Sequence, residues 1–445
     1  MLSAFICLPL LLPGRQDPAF PGLGCADYSV ENYQIKLRFD PATGILNGDA
    51  IMSAKVVYPI SEIPIDLSGL EVDSVTVSGK EAKFHQSQDK LLVDTSAGRS
   101  AGGSFEVETI YHGSPKAIPC PATFGLAVGW FSYEGGAVAV CEPNAAHTWF
   151  PCNDLPTEKA KLSLQISCPP GYTVISNGKE TQKGDVTEWS LAEPSLPCMA
   201  TVAIGKFSEV DENGPGGLKI RNYVPHGEQA SYKPILDTEN SILTLLESKL
   251  GPYPWETCGT ISLPGEVGTV SPLMQSAALE TTTIPVFGPG LVKDKATLTH
   301  ELCHQWMGNC VSVTHWAEDI WWVEGFAAYS EQLLVENDKG HSAYLNSIHR
   351  VAEHNAGSWV APGKLSVATM FGNGSYVSGC LLFHSLRTEL GDDAFFKVIR
   401  EFIARHKYGN ATDQDWIDLA SKAAGRDMKP FFEKWLYGTQ QPQVP

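Results

Sequence analysis

The sequence predicts an α+β protein, in which an antiparallel β-sandwich or saddle domain precedes a domain that passes from α/β into all-α structure. Short segments of alternating apolar and polar residues dominate from about residue 28 to residue 207, whereas apolar spacing of helical period prevails after residue 293. The length of 445 residues suggests two or three domains. We divide the chain into an N-terminal leader or arm (1–24), a β domain (25–208) and a second domain (209–445).

The N-terminal arm contains the one candidate targeting segment, the apolar run from Leu2 to Leu12, which Pro9 interrupts. This run is too short to span a bilayer as a helix. It could be the apolar region of a signal peptide, although a basic N-terminus and an A-x-A cleavage site are missing. The sequence weakly favours a secreted, extracellular protein over a cytoplasmic one. No other stretch is predicted to be a transmembrane segment.

The composition is that of a globular protein, with 43% hydrophobic and 18% charged residues. A formal net charge of −18, without any Lys/Arg-rich run, repels phosphate backbones, so we expect no nucleic-acid partner. The eleven cysteines include no C-x-x-C pair, which argues against a zinc ribbon. We expect mostly buried thiols and leave open one or two disulfides.

The β domain is predicted from alternation and from its turn residues. Tyr33–Phe39 and Phe105–Tyr111 alternate apolar and polar side chains, as half-buried strands do, and turn sequences such as Ser176-Asn177-Gly178 separate the strands. Many short strands in about 180 residues are typical of a sandwich. We place the end of this domain in the stretch 211–217, which we expect to lack regular structure.

The second domain begins with an α/β pattern and continues as helices. Two strands are predicted, Leu218–Val224 and Gly259–Leu263. A helical pattern from about Lys233 to Leu250 lies between them in the sequence. Later helices are predicted at Leu333–Leu345, Gly379–Leu390 and Ala394–Ile403, and another starts at the capping sequence Thr412-Asp-Gln-Asp415.

A candidate metal site lies in the segment 297–309, which contains His-Glu-Leu-Cys-His. Residues four apart share one face of a helix, so His300 and His304 can both present an imidazole nitrogen to one zinc ion. Glu301 stays beside the metal, where its carboxylate can take a proton from a bound water. The alternative is two histidines on a solvated helix face.

The natural third ligand is Glu324, because the segment Asp319–Ser330 reads as a helix that carries this one acidic residue inside its apolar run. A carboxylate between tryptophans is costly to bury unless it is paired or bound to a metal. The extended pattern His-x-x-Gly-x-x-His is not present, because Met307 stands at the position of its glycine and Cys310 at that of its last histidine. A partly exposed surface acid is the alternative for Glu324.

The sequence His-Glu-Leu-Cys-His-Gln-Trp-Met-Gly-Asn, followed by Trp316 and by Ile-Trp-Trp-Val-Glu-Gly-Phe-Ala, resembles the aminopeptidase N family of gluzincin zinc metallopeptidases. The resemblance covers roughly Asp17 to Pro442. It implies a β domain packed on a thermolysin-like catalytic domain, with one zinc ion per chain. Larger members of the family add C-terminal domains, so we expect a compact two-domain form.

The chain departs from the family pattern in three ways. The spacer between the second histidine and Glu324 is one residue longer than usual, and we expect the extra residue near Ala317-Glu318, in a connecting loop. Val323 replaces the usual asparagine before the ligand glutamate. The Gly-x-Met-Glu-Asn signature is present only as a variant, Ala277-Ala-Leu-Glu280-Thr, within the segment 276–287 that reads as a strand.

The resemblance also implies the residues that bind the substrate. Glu280 would bind the free α-amine, with the backbone around Ala277 and Ala278 alongside the peptide, and Glu142 would be a second amine-binding acid from the β domain. Tyr376 would donate a hydrogen bond to the oxyanion.

The resulting hypothesis is a zinc-dependent aminopeptidase that removes N-terminal residues from peptides, with Glu301 as general base. Its partners would be peptides with a free N-terminus. An endopeptidase or other hydrolase on the same scaffold is the nearer alternative, and a catalytically silent zinc- or peptide-binding module is the more distant one. The preferred N-terminal residue and the oligomeric state are left open.

Overall fold

The computed structural model describes residues 16–183 and 186–444. The apolar run from Leu2 to Leu12 lies outside the described residues, so export stays a prediction. Within the described part of the chain, no helix is both long and apolar enough to cross a membrane. The ten cysteines of that part are all free thiols, and every one except the half-buried Cys168 is buried.

The N-terminal part is built almost entirely of strands. They are β1 (Tyr28–Asp40), β2 (Ile45–Val56), β3 (Ile60–Asp66), β4 (Glu71–Val77), β5 (Lys80–Glu81), β6 (Phe84–Gln86), β7 (Lys90–Arg99), β8 (Ser104–Gly113), β9 (Ile118–Pro119), β10 (Ala127–Tyr133), β11 (Gly136–Val140), β12 (Ala160–Ser167), β13 (Thr173–Ser176), β14 (Lys179–Lys183), β15 (Val186–Ser195) and β16 (Val202–Gly205).

These strands form an eight-stranded sheet (β14-β15-β12-β1-β2-β8-β4-β5), a five-stranded sheet (β13-β16-β11-β10-β9) and a three-stranded sheet (β3-β7-β6). Side chains of β1 alternate between buried and more exposed positions, as the sequence predicts. Pairing is antiparallel except between β1 and β12, which run parallel with Tyr33 opposite Leu162. This parallel pair joins strands far apart in the sequence, and local alternation does not reveal the direction of pairing.

An aromatic cluster anchors the segment that follows β11. The Trp149 ring lies 4.3 Å from that of Phe150 and 6.3 Å from that of Trp130, measured between centroids. All three side chains are buried. Such packing holds the neighbouring loop, which carries Glu142, against the rest of the β domain.

The second part opens with another five-stranded sheet, in the order β17-β18-β19-β21-β20. Its strands are β17 (Phe207–Asn213), β18 (Lys219–Pro225), β19 (Cys258–Ser262), β20 (Ala278–Leu279) and β21 (Val286–Phe287), and a small parallel pair joins β22 (Ser312–Val313) to β23 (Asn410–Ala411). The expectation that 211–217 lacks regular structure is wrong at its start, because β17 pairs along its whole length with β18.

Helices make up most of the remaining chain. They are α1 (Gln229–Leu236), α2 (Glu239–Leu250), α3 (Val267–Val270), α4 (Lys295–Cys303), α5 (Trp316–Lys339), α6 (His341–Asn355), α7 (Gly379–Leu390), α8 (Asp392–His406), α9 (Asp413–Ala424) and α10 (Lys429–Tyr437). The predicted start at Thr412 is confirmed, since Thr412 and Asp415 form a capping box. The pattern Leu333–Leu345 proves to be two helices, which Gly340 separates with a φ of 84°.

Helix α5 is the central element of this part. Its middle is buried on all sides, and its Trp322 ring packs against those of Phe402 (5.4 Å) and Trp416 (6.4 Å). The expected position of the extra spacer residue is wrong, because Ala317 and Glu318 belong to the first turn of α5 and not to a connecting loop.

Candidate active site

Helix α4 presents the two histidines. The Asp294 side chain caps its start by accepting a hydrogen bond from the Thr297 N–H (3.1 Å). His304 directly follows the helix, but its backbone stays helical (φ −57°, ψ −20°) and its N–H donates to the His300 carbonyl (3.3 Å). The spacing of four residues therefore places both imidazoles on one face, with 4.8 Å between their ring centroids.

Glu324 of α5 completes a group of three candidate metal ligands. Its Oε2 lies 3.2 Å from Nε2 of His300 and 3.4 Å from Nε2 of His304. All three side chains are buried, and one potential ligand atom from each lies within 4.8 Å of the others. Two imidazoles and one carboxylate form the donor set of a catalytic zinc site that keeps an open position. The residues present therefore fit a zinc ion.

The outer nitrogens of both imidazoles are held by hydrogen bonds. Nδ1 of His304 faces the Met307 carbonyl at 3.0 Å, and Nδ1 of His300 faces Oε1 of Glu331 at 2.8 Å. An oxygen of either kind accepts a hydrogen bond from the Nδ1–H group, which leaves the Nε2 lone pair free for a metal. Sequence reasoning missed Glu331. The available signal was its spacing of seven residues, about two helical turns, after Glu324.

Four glutamates and two histidines line one cavity of about 200 Å³: Glu142, Glu280, Glu301, Glu324, His300 and His304. Among the described residues, Oε1 of Glu142, Oε1 of Glu280 and Oε2 of Glu301 are buried without a hydrogen-bond partner. Buried carboxylate oxygens ordinarily find a partner, so these three point to cationic groups that the cavity receives.

The pKa values of these carboxyls reflect the same surplus of negative charge. Burial, and then the neighbouring Glu280, raises the pKa of Glu142 well above its usual range. Burial likewise raises the pKa of Glu301 to about 8. Burial would also raise the pKa of Glu324, but His304 and His300 outweigh it and lower that pKa to about 2. A metal ion and a substrate ammonium would supply the missing positive charge.

Glu280 directly follows β20 and precedes the turn at Thr282-Thr283, so the continuous strand predicted for 276–287 is not formed. Only β20 and β21 are strand, and Thr283 between them has a φ of 68°. Residues next to the second histidine hold this turn: Gln305 Oε1 accepts from the Thr283 N–H (2.7 Å), and Asn309 Nδ2 donates to the Glu280 carbonyl (2.6 Å). These contacts connect the candidate amine-binding acid to the segment that directly follows α4.

Sequence reasoning assigned no role in the site to Gln305 or Asn309, although both stand in the motif that carries the family resemblance. Both are almost fully buried. The available signal was the presence of two amide side chains within five residues of a candidate metal ligand, since an amide buried there requires partners.

The β domain contributes Glu142 and several contacts that fix it against the second part. Lys159 Nζ donates to the carbonyls of Asn309 (2.7 Å) and Cys310 (2.9 Å), and Asn177 Nδ2 donates to that of Thr282 (2.6 Å). These hydrogen bonds join the β domain to the residues that position Glu280. The cavity is therefore assembled by both parts of the chain.

Tyr376 lies in a single π-helical turn, Gly374–Ser378, before α7. Its ring stacks on that of His300, with 5.8 Å between centroids and 19° between planes. Burial, and then the nearby glutamates, raises the pKa of Tyr376 well above 10, so its hydroxyl stays protonated and can donate a hydrogen bond. Short π-helical turns of this kind are frequent at functional sites.

The predicted substrate-binding residues Ala277 and Ala278 also line the cavity. The structure thus brings together all nine residues that the sequence singled out. An additional contact, from the N-terminal arm, was missed: Asp17 Oδ2 accepts a hydrogen bond from the Trp316 N–H (2.8 Å) and so caps the start of α5 from 299 positions away in the sequence.

Comparison with known proteins identifies the family. Residues 29–193 match the Peptidase M1 N-terminal domain, and residues 292–435 match the Peptidase family M1 domain. Leucyl aminopeptidase of Saccharolobus solfataricus is 26% identical over 444 residues, which cover 93% of this chain and 54% of that protein.

Solved structures share the fold over nearly the whole chain. The M1 zinc metallopeptidase from Deinococcus radiodurans superposes with a TM-score of 0.85 at 23% identity, covering 96% of this chain and 98% of the other. A mutant of that protein bound to Tyr-Ser-Ala substrate gives a TM-score of 0.86 at 22% identity, with the same coverage.

The fold and the site together define the HExxH metallopeptidase class, with a β domain preceding a thermolysin-like domain. The chain belongs to peptidase family M1. Both the predicted fold class and the predicted resemblance are thereby confirmed. The chain spans about half the length of the curated relatives it matches.

Proposed function

We propose that this chain is a zinc-dependent aminopeptidase, which hydrolyses the N-terminal peptide bond of peptides with a free amine. One observation carries the proposal. The three candidate zinc ligands share a cavity with buried oxygens of Glu142 and Glu280 that have no hydrogen-bond partner among the described residues. Two such carboxylates beside a metal site suit a substrate α-ammonium, which would form charge-assisted hydrogen bonds with both.

Each residue then has a defined role. His300, His304 and Glu324 would hold the zinc ion, which when bound polarises the scissile carbonyl and lowers the pKa of a water molecule. Glu301 takes a proton from the attacking water and delivers it to the leaving nitrogen. Glu142 and Glu280 fix the register by holding the amine, and the Tyr376 hydroxyl donates to the developing oxyanion.

A panel of aminoacyl-coumarin substrates, each paired with its N-acetylated form, tests this proposal on the zinc-loaded chain. We expect release of coumarin only from substrates with a free amine. Equal cleavage of the acetylated forms would leave an endopeptidase. A fully zinc-loaded chain that cleaves neither form, nor longer peptides, would leave a silent binding module.

Replacing Glu280 by glutamine is expected to raise KM about tenfold for free-amine substrates, because a charge-assisted contact with the ammonium becomes a neutral one. Steady-state kinetics on Ala- and Leu-coumarin would measure the change. Glu266→Gln is the matched control, since Glu266 is exposed and does not line the cavity. An unchanged KM in the Glu280 variant would exclude Glu280 from amine binding.

Replacing Tyr376 by phenylalanine is expected to lower kcat by roughly 10²–10³, with little change in KM, because an oxyanion donor acts mainly in the transition state. The substitution keeps the ring that stacks on His300, so the melting temperature should hardly change. Tyr437→Phe, at an exposed tyrosine of α10, is the control. A normal kcat with an altered melting temperature would make Tyr376 a packing residue only.

A further inference from the structure

Phe124 is the most exposed large apolar side chain among the described residues. It is 74% exposed, whereas the next, Tyr437, is 45% exposed. Phe124 also lines the cavity that contains the candidate zinc ligands. A single exposed phenylalanine needs no explanation on a general surface, but this one stands at the cavity.

The backbone of Phe124 is left-handed, with φ 58° and ψ 29°. This conformation is unfavourable for a bulky L-residue and persists only where the surroundings enforce it. Hydrogen bonds within the loop do so: the Gly125 N–H donates to the Cys120 carbonyl (3.0 Å), and Thr123 Oγ1 donates to the Leu126 carbonyl (2.6 Å). The loop therefore holds an apolar ring towards solvent at a conformational cost that packing in the core does not explain.

This loop, residues 120–126, lies on the side of the cavity where the substrate amine would bind. Cys120 Sγ donates to Asn144 Oδ1 at 3.4 Å, which connects the loop to the segment that carries Glu142. If Glu142 holds the substrate ammonium, Phe124 lies on the side of the cavity that receives the N-terminal residue.

Most of the other residues that line the cavity are apolar as well. Leu273, Met274 and Phe371 lie around the cavity with Phe124, and every charged side chain that lines it belongs to the proposed catalytic and amine-binding set. An acidic side chain on the substrate's N-terminal residue would therefore lose its water without gaining a cationic partner. It would also face the carboxylates of Glu142 and Glu280. A cationic side chain would find its carboxylate partners already engaged by the ammonium and the metal.

We propose that Phe124 is a specificity-determining residue that contacts the side chain of the substrate's N-terminal residue, and that the substrates are peptides beginning with a large apolar or aromatic residue. This inference rests on the proposed function. The exposed ring would be covered by the substrate side chain, and removal of both apolar surfaces from water would favour binding.

The test measures kcat/KM for Phe-, Leu-, Ala-, Arg- and Glu-coumarin with the zinc-loaded wild type, Phe124→Ala and Phe124→Leu. We expect the wild type to favour the Phe and Leu substrates over Ala at least about tenfold, and over Arg and Glu by more. Phe124→Ala should lower kcat/KM about tenfold for Phe- and Leu-coumarin and leave Ala-coumarin within about twofold. Phe124→Leu should recover part of the loss.

Phe84→Ala is the matched control, because Phe84 is an exposed phenylalanine of the same domain that does not line the cavity. It should change none of the rates. A uniform loss on all substrates in Phe124→Ala, or a wild type that prefers Arg or Glu, would overturn this inference and leave the aminopeptidase standing. Absence of cleavage of every free-amine substrate by the zinc-loaded wild type would instead overturn the proposed function, and this inference with it.

Discussion

Replacing Glu301 by glutamine is expected to lower kcat by roughly 10²–10⁴ while the zinc content stays at one ion per chain. Glutamine has nearly the same shape as glutamate but cannot take a proton from the attacking water. Glu301 is buried, lines the cavity and directly follows a candidate ligand, yet its Oε2 has no hydrogen-bond partner among the described residues. That oxygen is therefore available to take a proton from a water molecule, as a general base requires.

Metal analysis together with steady-state kinetics would measure this effect. Glu256→Gln, at an exposed position of the same domain, is the control and should retain full activity. A Glu301 variant that turns over normally with its zinc in place would contradict the assigned mechanism. Loss of zinc together with activity would instead place Glu301 among the ligands, where it could join Glu280 and His304, a second group whose ligand atoms lie within 4.8 Å of one another.

Features set by nearby residues could be predicted from the sequence. The spacing of four residues between His300 and His304 requires only a local helix, and the capping box at Thr412 involves residues three apart. Glu324 was recognisable because an acid inside an apolar run has to have a partner. In each case the residues that determine the feature lie within about one helical turn of one another or within one continuous segment of the sequence.

Features set by distant residues could not be predicted in the same way. Residues 276–287 have strand-like composition, but hydrogen bonds with Gln305 and Asn309 fix the turn at Thr283 and the Glu280 carbonyl before it. Asp17 caps a helix that starts 299 residues later. Phe124 is exposed because of the conformation of its loop, and the spacing of apolar residues in the sequence does not predict that conformation. Tertiary contacts override local propensity at these sites, and all of them lie near the proposed active site or support it.

Replacing Glu324 by alanine is expected to remove most of the zinc and, with it, the activity. His300 and His304 would remain as the only two members of the candidate ligand set, whereas a catalytic zinc site ordinarily has three protein ligands. The loss should exceed the effect of Glu331→Gln, which removes only the carboxylate that faces Nδ1 of His300. Loss of such an outer hydrogen-bond partner typically lowers metal affinity about 10–100-fold.

Zinc affinity measured by competition with a chromogenic chelator would rank the variants. We expect Glu318→Gln, at an exposed position in the first turn of α5, to bind like the wild type, Glu331→Gln more weakly, and Glu324→Ala most weakly. This order follows from distance to the candidate histidine ligands, since of these three glutamates only Glu324 has an oxygen within 3.4 Å of both Nε2 atoms. Full zinc occupancy in Glu324→Ala would transfer the role of third ligand to Glu280 or Glu301, the only other carboxylates grouped with His304 in the part of the chain that the structure describes.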